Sequence, residues 1–225
     1  MTVASLSHTA RAISGRAIRQ NVHCQVFDNS RRSLSFSFAG PRKLEEIMKT
    51  ELLEGKSASE VSDIWMTYHE GKDKTHGLIM LGKDSLDVLE RAKQCPYFVQ
   101  PVFRDEGYFM LVSQFQGPSH FLMAYLEDYK MDPARAQPLL TFSVFDDLAK
   151  KLDLGLIRCD ILNKGVEDDE GRKIVNSMLD AYKKDEEYFK VKAFNETPDS
   201  FDLDDYISCQ NQRWKQDEGE VATPP

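Results

Sequence analysis

Cysteine is scarce and widely spaced. Cys24, Cys95, Cys159 and Cys209 form no Cys-x-x-Cys pair and have no histidine at ligand spacing, which argues against a zinc site and a disulfide framework and leaves reduced, mostly buried thiols. No apolar run approaches the ~20 residues that span a bilayer, so the chain reads as soluble, with no membrane span. No internal repeat appears, which excludes solenoids and propellers. Gly55-Lys56-Ser57 resembles the end of a phosphate loop, but Thr50 stands where its first glycine is required and a helix is expected before it, so backbone amides would not converge on a phosphate. Ser113 has no nucleophile elbow, because Leu111 and Phe115 occupy its glycine positions; Ser119 and His120 are adjacent, a spacing that sends their side chains to opposite faces of a strand. No motif in the chain calls for catalysis, a cofactor or a metal.

Basic charge is also scarce, outside the first residues. Positions 1–43 carry seven basic residues against Asp28 alone, a balance of +6, while the remainder carries 22 basic against 36 acidic residues, a balance of −14. A body so acidic is repelled by phosphate backbones and has no basic stripe interleaved with aromatics, so nucleic acid is not an expected partner.

What the chain does have is a dense aromatic and β-branched stretch, Cys95 to Glu127. Three apolar runs, Tyr97 to Phe103, Tyr108 to Gln116 and His120 to Leu126, are separated by Arg104-Asp105-Glu106-Gly107 and Gly117-Pro118-Ser119, links of hairpin length. The second run is apolar on both faces, as a covered central strand would be. Pro101 has no N–H for a ladder and places the first run at a sheet edge or a bulge.

Elsewhere, Pro41 is expected to open a helix with Leu44, Ile47, Met48 and Leu52 on one stripe and Gly55 as its stop. Ser57-Ala58-Ser59-Glu60 is a capping box, followed by Val61, Ile64, Trp65 and Tyr68 at i, i+3, i+4, i+7, a spacing that buries Trp65; His69 and His76 read as surface residues. A strand is expected from His76 to Leu81, then a helix capped by Asp84 that carries Leu86, Leu89 and Ala92 and stops before Pro96. After the hairpins come a loop or irregular turn over Asp128 to Pro138, strands at Leu139 to Phe145 and Leu154 to Leu162 around a short helix at Asp146 to Lys151, and a helix whose acidic first turn is Val166 to Glu170 and which buries Ile174, Met178 and Tyr182. Tyr188 to Phe194 reads as a strand, and Thr197-Pro198 opens a last helix through Phe201, Tyr206 and Ile207. The fold class is α+β, a single domain with a mostly antiparallel sheet of about five to seven strands flanked by helices. Residues 41–212 form that domain, and 213–225 a disordered polar tail.

Residues 1–40 are rich in Ser and Arg and nearly free of acid, with Arg11 and Arg19 set against Ile13 and Ala17 on a helical wheel. This is the composition of an organelle transit peptide, and Arg32-Ser33-Leu34-Ser35 resembles a mitochondrial cleavage site; a plastid address and a retained basic arm are the alternatives.

Lys56 to Val61 followed by Ile64-Trp65, Tyr68 and Lys72-Asp73 resembles the signature of the mitochondrial ATP synthase F1 complex assembly factor family. The resemblance continues through Ala92, Cys95, Pro96, Phe98, Pro101, Gly107, Tyr108, Gln114 and Gly117, and again in Phe194-Asn195, Pro198 and Phe201, so it spans roughly Leu44 to Gln212. Phe115 departs from an expected Trp, and Phe121-Leu122 from Phe-Thr. The resemblance implies a matrix chaperone, monomeric when free, that binds the unassembled β subunit of the ATP synthase, covers its α-facing surface and leaves as the hexamer forms. It implies a stoichiometric holder and no enzyme. The alternative is a small-molecule-binding or hydrolytic α+β enzyme of the organelle, which would need a deep polar pocket near Ser119 or Glu127.

Overall fold

In the computed structural model, residues 42–105 and 107–221 are described. Residues 1–40, Pro41, Cys24 and Glu106 lie outside them. Two 3-10 turns, Leu44–Glu46 and Thr50–Leu53, lead into helix α1 (Ala58–Glu70) and strand β1 (Thr75–Leu81). Then follow α2 (Gly82–Gln94), β2 (Tyr97–Arg104), β3 (Gly107–Gln116), β4 (His120–Tyr125), α3 (Leu126–Met131), β5 (Pro138–Phe145), α4 (Ala149–Leu152) and β6 (Leu154–Ile161). The chain closes with α5 (Asp168–Lys183), α6 (Asp185–Glu196), a 3-10 turn at Pro198–Ser200 and α7 (Leu203–Val221).

The six strands form one antiparallel sheet in the order β1-β6-β5-β4-β3-β2. Hairpin links make β2, β3 and β4 neighbours, and β2, which carries Pro101, is an edge. The sheet curls around α5, which packs against β2 at one end and against β6 and β1 at the other. On this inner face Phe121 lies between Phe142, with ring centroids 4.4 Å apart and stacked, and Tyr182 of α5. Gly171 lets α5 approach: a Cβ there would stand 2.5 Å from Ile161 Cδ1. Phe98 anchors α6 and α7 through edge-on contacts with Phe194, Phe201 and Tyr206.

The outer face of the sheet near β5 and β6 carries a second core, in which Trp65 packs with Leu44, Leu53, Val61, Phe145, Leu154 and Leu156. Helix α1 starts where its capping box requires, with Ser57 Oγ accepting from Glu60 N and Glu60 Oε2 accepting from Ser57 N at 2.8 Å.

Four expectations are corrected. The stretch 188–194 is helical within α6, because Glu187, Val191 and Phe194 (i, i+4, i+7) are buried while Phe189 faces solvent; its aromatic density imitates a strand. The stretch 44–55 breaks into two turns at the extended Lys49, which brings Leu53 rather than Leu52 into the Trp65 core. The buried line of α1 is Val61, Trp65 and His69, so Ile64 and Tyr68 face outward and His69 is not a surface residue. His69 packs over Gly77 of β1, where a Cβ would come within 2.7 Å of its Nδ1. Two smaller differences concern helix ends: α2 begins at Gly82 with Leu81 as its cap, and α7 begins at Leu203 and continues through Val221, past Trp214.

Candidate interaction surface

The residues that carry the family signature are placed mostly in the interior. Trp65 is 1% exposed and donates from Nε1 to Ile157 O at 3.2 Å. Cys95 and Pro96 form the turn from α2 into β2, where Cys95 O accepts from Tyr182 Oη and Pro96 O from Phe115 N. Phe98 is fully buried. Gly107, at φ 151°, turns the β2–β3 hairpin, and Gly117 the β3–β4 hairpin. Gln114 lies on the outer face with Nε2 donating to Tyr97 Oη at 3.0 Å. Among the large apolar and aromatic side chains of the set, Ile64 (40% exposed), Tyr68 (43%) and Tyr108 (46%) reach solvent.

Tyr68 projects from the outer side of α1 with the Lys72 ammonium 3.9 Å from its ring centroid. The Lys72 hydrogen bond is the main force lowering its phenol pKa. Beneath it, Arg158 pairs with Asp160, at Nε to Oδ2 2.8 Å, and Thr75 Oγ1 donates to Asp160. The Asp160 carboxylate is the principal cause of the raised Arg158 pKa. Tyr108 lies at the far end of the sheet, its ring 5.7 Å from Phe103.

Of the serines considered for chemistry, Ser113 Oγ is buried without a hydrogen-bond partner. The structure adds a pair that adjacency in sequence does not show: His120 Nδ1 is 2.8 Å from Ser143 Oγ, on directly opposed positions of β4 and β5. Both are buried, and burial pushes the imidazole down to about 4, so it is neutral at physiological pH. This bond fastens two neighbouring strands. Among the described residues no group of three His, Cys, Asp or Glu side chains is placed to hold a metal ion.

Two open grooves flank α7. One, of about 480 Å3, lies between the β2–β3 hairpin and α7 and is lined by Phe103, Arg104, Tyr108, Ile207 and Trp214 among others. Its floor is braced by Arg104, whose Nε and Nη2 both meet the Glu170 carboxylate at 2.7 Å. Burial alone would push that carboxyl up, but the Arg104 fork and the Glu167 N–H outweigh it and the pKa falls below the ordinary value. The other groove, of about 660 Å3, runs between β1, α5 and α7. Neither is lined by Ser119 or Glu127. Other apolar side chains reach solvent singly or in pairs: Ile64 beside Tyr68 on α1, Ile79 and Leu81 on the outer face of β1, Met131 at the end of α3 and Phe189 on α6.

The chain is 27% identical over 173 residues to ATP synthase mitochondrial F1 complex assembly factor 1 of Homo sapiens, an alignment covering 76% of this chain and 52% of that protein. It is 26% identical over 167 residues to the protein of the same name in Danio rerio, covering 73% and 54%. The chain thus spans about half the length of the curated relatives it matches. A family model described as ATP11 protein matches residues 10–207, so this chain belongs to the ATP11 family.

Proposed function

We propose that the protein is an assembly factor for the F1 head of the mitochondrial ATP synthase, acting in the matrix as a stoichiometric holder of the unassembled β subunit. The observation that carries this reading is the family match over residues 10–207, together with relatives named as F1 assembly factors. The physical logic is competition. A holder covers an assembly surface well enough to prevent aggregation, yet less favourably than the native neighbour does, and so it is displaced as the hexamer forms. Exposed Tyr68 and Tyr108 suit that role, since tyrosine offers large contact area with a polar tip at low cost in conformational entropy. The chain acts without turnover and, when free, as a monomer.

The test is to run the protein with isolated α and isolated β separately through size-exclusion chromatography with light scattering. A one-to-one complex with β and none with α is the expected result; a complex with α alone would overturn the choice of client. The basic, acid-poor N-terminal segment supports import followed by removal of about the first 30 to 40 residues. N-terminal sequencing of the mature protein checks this, and a mature chain starting near Met1 would refute it.

A further inference from the structure

The groove between β1, α5 and α7 reverses the charge of the molecule around it. Its lining carries Arg172, Lys173, Lys183, Lys184 and Arg213 against Asp180 alone, in a chain whose net charge is −8. Lys183 and Lys184 share Asp180, Arg213 pairs with Glu187, and among the described residues no ion pair holds Arg172, which is exposed. Apolar surface from Ile79, Met80, Leu179 and Trp214 is interleaved with these cations.

The groove also borders a sheet edge. Among the described residues β1 pairs only with β6. Ile161 N donates to Lys74 O, and residues facing one another across an antiparallel ladder alternate between bonded and non-bonded pairs. The N–H and C=O groups of His76, Leu78 and Met80 therefore face β6, and those of Thr75, Gly77 and Ile79 point away from it, with Gly77 buried and Ile79 exposed beside the groove. A row of backbone donors and acceptors at strand spacing recognises another polypeptide backbone, which a phosphate chain does not offer.

We propose that this edge and groove dock an extended acidic segment of polypeptide, which adds to β1 as a seventh strand and sets its carboxylates among the groove's cations. The proposal rests on the assembly reading only for the source of that segment, the unassembled β subunit.

The probe is a fluorescent ten-residue peptide alternating Val and Glu, titrated against the full chain by anisotropy. Binding that weakens with salt, and a matched Val–Lys peptide that does not bind, are expected. Arg172→Glu with Lys183→Glu, and separately Ile79→Pro, should each weaken binding by about tenfold with an unchanged melting temperature. A peptide N-methylated on alternate amides, used against the unaltered protein, should lose a similar factor and so tests strand pairing even if Ile79→Pro folds poorly. Failure of the Val–Glu peptide to bind, or equal binding by the charge-reversed protein, overturns the proposal. Inorganic polyphosphate binding as tightly, with no effect of N-methylation on the peptide, also overturns it by making the groove a plain anion site. Isolated β should displace the peptide: if β binds without displacing it, the client lies elsewhere, whereas if β does not bind at all, the assembly reading fails while the groove keeps its peptide result.

Discussion

Replacing Trp65 by alanine separates a structural role for this signature residue from a contact role. The indole is 1% exposed and fills the outer core between α1 and the sheet, touching Phe145 edge-on with ring centroids 6.1 Å apart. Deleting it leaves a cavity walled by Leu44, Leu53, Leu154 and Leu156 and also removes the Nε1–H that Ile157 O accepts from α1. Truncation of a buried Trp costs about 3–5 kcal/mol, and a lost hydrogen bond of about 1 kcal/mol lies within that range. For a domain of this size each kcal/mol moves the melting midpoint by roughly 2–4 °C, so Trp65→Ala should lower it by about 6–20 °C. Tyr68→Ala, one turn away on the exposed side, should lower it by less than about 3 °C and weaken β binding instead. Calorimetry gives the midpoints, and binding is measured at 10 °C below the lower of them. The reasoning fails if Trp65→Ala melts within about 2 °C of the parent and loses β binding, because the indole would then be a contact residue.

Two further perturbations follow from buried polar groups. His120 has an ordinary imidazole pKa near 6.5 when unfolded and about 4 when folded, so between those values the unfolded chain takes up a proton that the native state refuses. Its contribution is intact above about pH 6.5 and falls away as the pH drops to about 4, by about 3 kcal/mol at most; His120→Asn should flatten the loss seen between melts at pH 7.5 and 5.0, and an unchanged slope would contradict the assignment. Glu170→Ala removes a buried carboxylate that accepts from the Arg104 fork and from Glu167 N and should cost about 1–3 kcal/mol by denaturant titration, whereas a variant as stable as the parent would show the pair to be dispensable.

Local signals carried the readable parts of the fold. The β2–β3–β4 meander follows from short links with Gly107 and Gly117, the edge position of β2 from Pro101, and the start of α1 from the Ser57–Glu60 box. Long-range packing decided the rest. Val191 and Phe194 declare a helix only once β2 and α7 are there to receive them, and His69 turns inward only because Gly77, on the next element, leaves room. The basic groove was equally invisible, since Arg172 and Arg213 lie on different helices and the strongly acidic total hides them. The signature residues could be named from the sequence, but that Tyr68 faces solvent while Trp65 does not required the register of α1 on the sheet.

The central claim is stoichiometric holding, and a light-scattering titration of isolated β subunit at fixed concentration tests it most directly. Mass action on the free β population predicts that suppression of aggregation saturates at about one copy of this protein per β, in nucleotide-free buffer, and that adding α with γ reverses the complex. Saturation far below equimolar protein, or suppression only when ATP is present, would contradict it.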